Sequence, residues 1–144
     1  MITIGVRGIP APQGSKRHVG GGRMVEASKA VGPWRDAVRT ETQRVMLDYS
    51  VLTGAVTVEV IISLPRPKGH YRTGKNAHLL RDSAPSRPAG IPDVDKLARA
   101  ILDGLTAGGA WKDDGQVVDL AAAKFYCRAG ETPGAMIYIT EDED

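Results

Sequence analysis

The chain has 144 residues, of which 42% are hydrophobic and 25% are charged, and its formal net charge is +2. This balance is typical of one folded domain with a buried core and argues against a disordered chain. No apolar run approaches the roughly 18 residues of a membrane span, residues 1–8 lack the features of a signal peptide, and the single cysteine excludes an internal disulfide. We therefore expect a cytoplasmic protein with no membrane partner.

The first half of the chain alternates strand and helix patterns. Alternating apolar residues predict a strand over Met1–Gly8, and the glycines and prolines of Ile9–Arg23 predict a loop. Pro33 suits the first position of a helix of about fifteen residues, whose apolar face is predicted to carry Trp34, Val38, Val45 and Tyr49. The alternation in Gly54–Leu64 then predicts a buried central strand.

The second half begins with a long basic loop at residues 65–92, which contains five prolines and three glycines. Leu97, Ile101 and Leu105 mark the apolar face of a second helix over Asp95–Ala107, which Gly108 and Gly109 end. Two closing strands are predicted over Val117–Cys127 and Ala135–Thr140. The order β-α-β-α-β-β predicts a small α+β domain at residues 1–140, with a mixed sheet packed by two helices and an acidic tail at 141–144.

Charge is unevenly distributed along the chain. Residues 1–24 carry four basic residues and no acid, and residues 66–89 carry six basic residues and one acid. Between Asp93 and Asp119 the pattern reverses, because six aspartates lie there. Basic loops around an acidic centre suit a polyanionic substrate that meets a divalent cation, although basic loops are also simply solvated in many proteins.

Two aspartate pairs carry the chemistry that we infer from the residues. Asp93 and Asp95 lie where a loop becomes a helix, and Asp113 and Asp114 follow that helix. If the two pairs converge, their mutual repulsion calls for a hard cation, and Mg²⁺ or Mn²⁺ prefers carboxylate oxygens. Arg99, one turn after Asp95, would stabilise negative charge that develops on a phosphate.

Each of these residues also has an ordinary structural explanation. Asp93 or Asp95 would suit the N-cap of the helix, and Asp113–Gly115 would suit a plain turn. Arg99 would suit a surface ion pair with Asp95 or Asp103. The residues alone leave the choice between a metal site and these explanations open.

Three sequence motifs together resemble the RusA family of Holliday junction resolvases. The family has an Asp-x-Asp-Asn-Leu-x-Lys motif that opens a helix, and Asp93–Arg99 matches it. An Asp-x-Leu helical segment follows at Asp103–Thr106, and a Trp-x-Asp-Asp-x-Gln-Val motif follows at Trp111–Val118. Weaker similarity extends through Pro10–Arg17 and Trp34–Val38.

The resemblance implies a homodimeric, Mg²⁺- or Mn²⁺-dependent endonuclease that nicks two opposed strands of a four-way DNA junction. By position, Asp93, Asp95 and Asp114 match the family's essential acids and would hold the metal. Asp113 matches the accessory acid, and Arg99 takes the place of a catalytic lysine. The fold implied is the small α+β domain already predicted.

Two positions depart from the family's pattern. Lys96 replaces the usual asparagine and puts a cation beside the predicted metal site, and Arg99 keeps the charge of lysine but changes its reach. Neither change removes a proposed ligand. The residues expected to contact DNA phosphates are basic: Lys16, Arg17, Lys96, Arg66, Lys68, Arg72 and Lys75.

Two other functions remain open at this point. The first is a catalytically weakened protein of phage origin that still binds branched DNA, which the lysine at position 96 favours. The second is a metal-dependent hydrolase of a small phosphate ester, which would not need the large basic loops.

Overall fold

The computed structural model describes residues 1–14 and 29–143, together with the backbone of residues 16–18 and 24–26. No helix within these residues combines the length and apolarity needed to cross a bilayer. The helices are Val31–Met46 (α1) and Val94–Ala107 (α2). The strands are Ile2–Arg7 (β1), Lys16–His18 (β2), Met24–Glu26 (β3), Val56–Leu64 (β4), Val117–Tyr126 (β5) and Gly134–Glu141 (β6).

Four strands form one mixed sheet in the order β1-β6-β4-β5. β6 is antiparallel to both β1 and β4, whereas β5 is parallel to β4. Parallel neighbours need a crossover, and the chain makes it through the basic loop and α2. The predicted α+β domain with a mixed sheet and two helices is therefore confirmed.

The core lies between one face of this sheet and the two helices. Val56, Val58 and Val60 of β4 are inaccessible to solvent, and so is Leu97 of α2. Glu59, between two of these valines, is exposed, as the two-residue period of a strand requires. The helices therefore cover one face of the sheet and leave the other face open.

The two helices pack closely at glycines of α2. A Cβ atom on Gly104 would lie 2.7 Å from the Cβ of Val38, and one on Gly108 would lie 2.5 Å from the Cβ of Thr42. Both distances are too short for real Cβ contacts, so the close approach requires glycine. This packing fixes α2, which carries the predicted acidic motif, against α1.

Three local predictions differ from the structure. The segment Ile9–Arg23, predicted as a loop, contains the strand β2, which pairs antiparallel with β3 directly after it; a strand of three residues is too short to show a periodic pattern. Pro33 is the third residue of α1 rather than its first, a position that still lies in the first turn, where a missing N–H is tolerated. Tyr49 lies beyond the helix and is 48% exposed, so it is not part of the apolar face.

Candidate active site

The N-terminus of α2 presents two carboxylates at the surface. Asp93 occupies the N-cap position with extended backbone, but its side chain makes no capping hydrogen bond, and Asp95 lies in the first turn. Both residues are exposed. Lys96 Nζ lies 3.9 Å from Oδ2 of Asp93, so the lysine that departs from the family's pattern is beside the first predicted ligand.

The second motif divides into residues that build the loop and one that faces α2. Trp111 is 2% exposed, and its Nε1 donates to Oγ1 of Thr106 at 2.8 Å. Oδ1 of Asp113 accepts from the N–H of Gly115 at 3.0 Å and caps the short 3₁₀ turn Asp114–Gln116. The turn explanation therefore holds for Asp113, whereas the Asp114 carboxylate is directed to α2.

Gln116 attaches this loop to the segment that precedes β4. Its Oε1 accepts from the N–H groups of Lys112 and Asp113. Its Nε2 donates to the carbonyls of Leu52 and Gly54, both at 3.0 Å. One side chain thus satisfies four backbone groups, and this fixes the position from which Asp114 reaches α2.

Arg99 connects the two motifs. Its Nη1 lies 3.0 Å from Oδ2 of Asp114, and its Nε lies 3.6 Å from Oδ1 of Asp103. The pair with Asp103 confirms the predicted i,i+4 ion pair, and the pair with Asp114 links α2 to the loop. Sequence spacing had left Asp95 and Asp103 open as partners of Arg99; the structure selects Asp103 and adds Asp114, which spacing had not indicated.

The structure brings Asp114 to Arg99 but does not assemble a cage of three carboxylates. Among the described residues, no three acidic, His or Cys side chains lie close enough together to hold a metal ion. Asp93 precedes Arg99 by six residues, about 9 Å along the helix axis. The donor chemistry of Asp93, Asp95 and Asp114 fits a hard cation, but in this arrangement the guanidinium is the cation at Asp114.

The pKa of Asp113 is lowered from its ordinary value of 3.8. The main cause is the hydrogen bond from the backbone N–H of Gly115, and a hydrogen bond with the Asp114 side chain adds to it. Donors aimed at a carboxylate favour its charged form. Asp113 therefore carries its charge as a capping residue of the loop.

Lys124, on β5, was not predicted as part of the site. Its Nζ donates to the carbonyl of Gly90 at 2.6 Å and to that of Pro92 at 2.7 Å. The ammonium thus fixes the backbone of residues 90–92, which leads directly into Asp93. No pattern in the sequence marks a single lysine in a strand for this role, because the partners are backbone atoms 32 and 34 residues away.

The N-terminal segment also reaches the start of α2. The N–H of Gln13 donates to the carbonyl of Lys96 at 3.0 Å, and Arg35 Nη1 donates to Oε1 of Gln13 at the same distance. The side chains of Lys16 and Arg17, which were predicted to contact DNA, lie outside the described residues. Their strand follows directly on the segment that contacts α2.

The basic loop at residues 65–92 contains two kinds of cation. Arg72 is held by Asp82 at 3.1 Å and by the carbonyl of Leu80 at 3.2 Å, so it serves the loop's own structure. Lys68 and Lys75 are exposed, and neither has a partner in the part of the chain that the structure describes. Of the residues in this loop that are predicted to contact DNA, these two lysines are therefore the most accessible to a phosphate.

Comparison with known proteins finds a matching family and a curated relative. The model of the family described as "Endodeoxyribonuclease RusA" matches residues 7–140 of the chain. A relative from Bacillus subtilis (strain 168), "Uncharacterized protein YqaN", is 34% identical over 92 residues, which are 64% of this chain. The match spans 61% of the length of that relative.

Proposed function

The chain belongs to the RusA family of endodeoxyribonucleases, and on this premise we propose that it resolves four-way DNA junctions by paired, symmetric nicks that depend on Mg²⁺ or Mn²⁺. The observation that carries the proposal is the contact of Arg99 with Asp114. It joins the acidic motif at the start of α2 to the acidic motif between α2 and β5. In the cell, such an activity would serve DNA recombination and repair.

The proposed metal ligands are Asp93, Asp95 and Asp114. A divalent cation on these carboxylates would lower the pKa of a bound water and polarise a phosphoryl oxygen. Asp93 and Asp95 are exposed on one helix end, so both carboxylates are accessible to solvent and to a DNA strand. Asp113 supports the site by capping the turn that carries Asp114.

Arg99 is the proposed partner of the scissile phosphate. A guanidinium stays protonated and cannot act as a base, but it can stabilise charge that develops on the phosphate in the transition state. For this role it would turn from Asp114 to the phosphate, since the two anions compete for the same donors. Lys96, beside Asp93, would add a second cation on the same helix turn.

Binding of the DNA arms is proposed to rest on phosphate contacts from the basic segments. Lys68 and Lys75 are exposed in the long loop, and the segment before Lys16 and Arg17 contacts the start of α2. Such contacts orient a duplex without reading its sequence. A two-fold homodimer would present two equivalent sites to two equivalent strands, which suits paired cuts.

The test is nicking of a synthetic mobile four-way junction by the wild-type chain and by Asp114→Asn, with and without Mg²⁺. The wild type should give symmetric products on opposite strands only with the metal, and Asp114→Asn should lose nicking while it retains junction binding in a gel shift. Glu59→Gln, on the open face of the sheet, is the matched control and should nick normally. Metal-dependent nicking by Asp114→Asn at the wild-type rate would refute the site.

A second candidate is a branched-DNA-binding protein with weakened catalysis. It is favoured by one observation, namely that Lys96 and Arg99 each place a cation against a proposed metal ligand. Under this alternative, the wild-type chain would bind the junction in a salt-dependent manner and would not nick it with Mg²⁺ or Mn²⁺. The same experiment therefore decides between the two functions.

A further inference from the structure

A cleft of about 810 Å³ lies between the basic loop and the C-terminal ends of β4 and β5. This volume is within the range of small-ligand sites in proteins. The cleft belongs to neither acidic motif. Phe125, in its wall, directly follows Lys124, whose ammonium holds the carbonyl of Pro92 before Asp93. Because adjacent strand residues point to opposite faces of a sheet, the cleft lies on the face that the helices leave open, whereas Lys124 and the start of α2 lie on the helix-covered face.

The apolar part of the cleft is unusually accessible for side chains of this size. Leu79, Leu80 and Phe125 are 43%, 42% and 39% exposed. All three line the same cleft. An accessible group of large apolar side chains that surrounds a concavity is typical of a binding site. The guanidinium carbon of Arg87 lies over the Phe125 ring, 4.8 Å from its centroid, so a planar ring would pack against the remaining accessible surface of Phe125 and the two leucines.

The cleft also contains one cation, Arg66, whose position is fixed by neighbouring groups. The guanidinium carbon of Arg66 lies 4.4 Å from the centroid of the Tyr126 ring, and its Nη1 donates to the carbonyl of Pro85 at 2.7 Å. These contacts leave Nε and Nη2 of Arg66 without a partner among the described residues. Arg128 and His78 also line the cleft, and Glu131 is the one acidic residue in its lining.

The walls are held by backbone hydrogen bonds. The N–H of Arg72 donates to the carbonyl of Leu79, and the N–H of Arg81 donates to that of His70, both at 2.8 Å. Tyr71 and Leu80 face each other as an antiparallel bridge. The loop therefore forms a hairpin, and the cleft does not depend on ordering a coil when a ligand binds.

We propose that this cleft binds an unpaired nucleotide of a single DNA strand, with the base against Phe125 and the two leucines and the phosphate at Arg66 and Arg128. Apolar planes beside cations match a nucleotide, because its base is a flat ring and its phosphate an anion. A base inside a duplex cannot enter, since its faces are covered by its neighbours. The inference rests on the proposed function, because a branched DNA substrate would supply the unpaired nucleotide. It deepens that function by naming unpaired DNA as part of what the protein recognises.

The first test measures binding of a fluorescein-labelled dT₈ oligonucleotide by anisotropy, in EDTA, so that nicking plays no part. Phe125→Ala should weaken dT₈ binding about tenfold, which is the loss expected for one base stack. Binding of a blunt 20-base-pair duplex should stay unchanged. Tyr49→Ala is the matched control, because Tyr49 is an exposed aromatic residue beyond α1. Equal dT₈ affinity for Phe125→Ala and the wild type would overturn the proposal.

The second test needs no substitution, so it stands even if a variant fails to fold. Cys127 is the only cysteine in the chain and lines the cleft. Saturating dT₈ should slow alkylation of Cys127 by N-ethylmaleimide several-fold, whereas the blunt duplex should not. Absence of protection by dT₈ would overturn the proposal and would leave the cleft to another occupant, such as a protein segment. Failure of junction nicking together with protection of Cys127 would refute the proposed function alone.

Discussion

Nη1 of Arg99 on α2 lies 3.0 Å from Oδ2 of Asp114, which follows it by 15 residues in the chain. The guanidinium therefore holds the carboxylate that a divalent cation would need. Because the Arg99 side chain is 57% exposed, water weakens this ion pair, and exchange with a stronger cation or with a phosphate costs little.

Replacement of Arg99 by glutamine should separate its two proposed roles. Arg99→Gln should raise the affinity for Mn²⁺ several-fold in calorimetry, because Asp114 loses a competing cation. It should reduce junction nicking by roughly 10²-fold, because charge on the phosphate is no longer stabilised. Arg39→Gln, which removes a surface ion pair on α1, should change neither quantity. Unchanged Mn²⁺ affinity in Arg99→Gln would contradict the competition.

Gln116 should be more sensitive to charge than its surface position suggests. In Gln116→Glu the carboxylate can still accept from Lys112 and Asp113, but it cannot donate to the carbonyls of Leu52 and Gly54 and faces both. We expect a loss of about 1–3 kcal/mol in the free energy of unfolding, measured in urea. Gln43→Glu, on the exposed side of α1, should leave the midpoint almost unchanged. Equal midpoints for both variants would show that the loop does not depend on Gln116.

A larger residue at Gly104, where α1 and α2 make contact, should lower the stability of the fold. Gly104→Ala would place a methyl group 2.7 Å from Val38 and should destabilise the fold by about 1–3 kcal/mol through overpacking. Gly32→Ala, in α1, meets no atom within 4 Å. It should leave stability unchanged or raise it by up to about 1 kcal/mol. The melting temperature should therefore fall for Gly104→Ala and stay the same or rise for Gly32→Ala, and a higher melting temperature for Gly104→Ala would contradict the packing.

Cys127 should react slowly with iodoacetamide at neutral pH. Burial raises the pKa of its thiol above the ordinary value of 9.0, and the negative charge of Glu131 adds to the shift. Because the pKa of Cys127 is higher in the folded chain than in the unfolded chain, the protonated thiol favours the folded state. This contribution to the free energy of unfolding is complete below about pH 9 and is lost as the pH rises through the folded pKa. The rate of alkylation should therefore begin to rise at a higher pH for the folded chain than for the chain unfolded in urea.

Glu131→Gln tests the cause of that shift. The variant removes the negative charge and should move the alkylation profile part of the way towards the unfolded one. The remaining difference should reflect burial. A profile of the folded wild-type chain that coincides with the profile in urea would contradict the raised pKa of Cys127.

Much of the fold could be predicted from local patterns. The alternation in β4 and the apolar face of α2 each fix an element, because a strand and a helix bury residues with different periods. Gly109, with a φ of 86°, stops α2 as predicted. The place of β6 between β1 and β4 could not be predicted, because strand order depends on pairings between residues far apart in the sequence.

The residues of the candidate site remain a prediction, and their arrangement could be predicted only in part. The residues alone indicated two aspartate pairs, and the family resemblance selected Asp93, Asp95 and Asp114 from them. Whether carboxylates on a helix end and a loop converge depends on the direction of the backbone. Spacing alone also could not decide which anion Arg99 would contact. Lys124 was missed because its partners are carbonyl oxygens, which every residue carries.

Gly54 joins the end of β6 to the loop of Asp114 through both of its backbone polar groups. Its N–H donates to Oε2 of Glu141 at 2.9 Å, and its carbonyl accepts from Nε2 of Gln116 at 3.0 Å. Loss of the Glu141 carboxylate would thus also affect Gly54, to whose carbonyl Gln116 of the acidic turn is anchored. A substitution of Glu141 would therefore also change how the loop of Asp114 is attached, although 27 residues of chain separate the two acids.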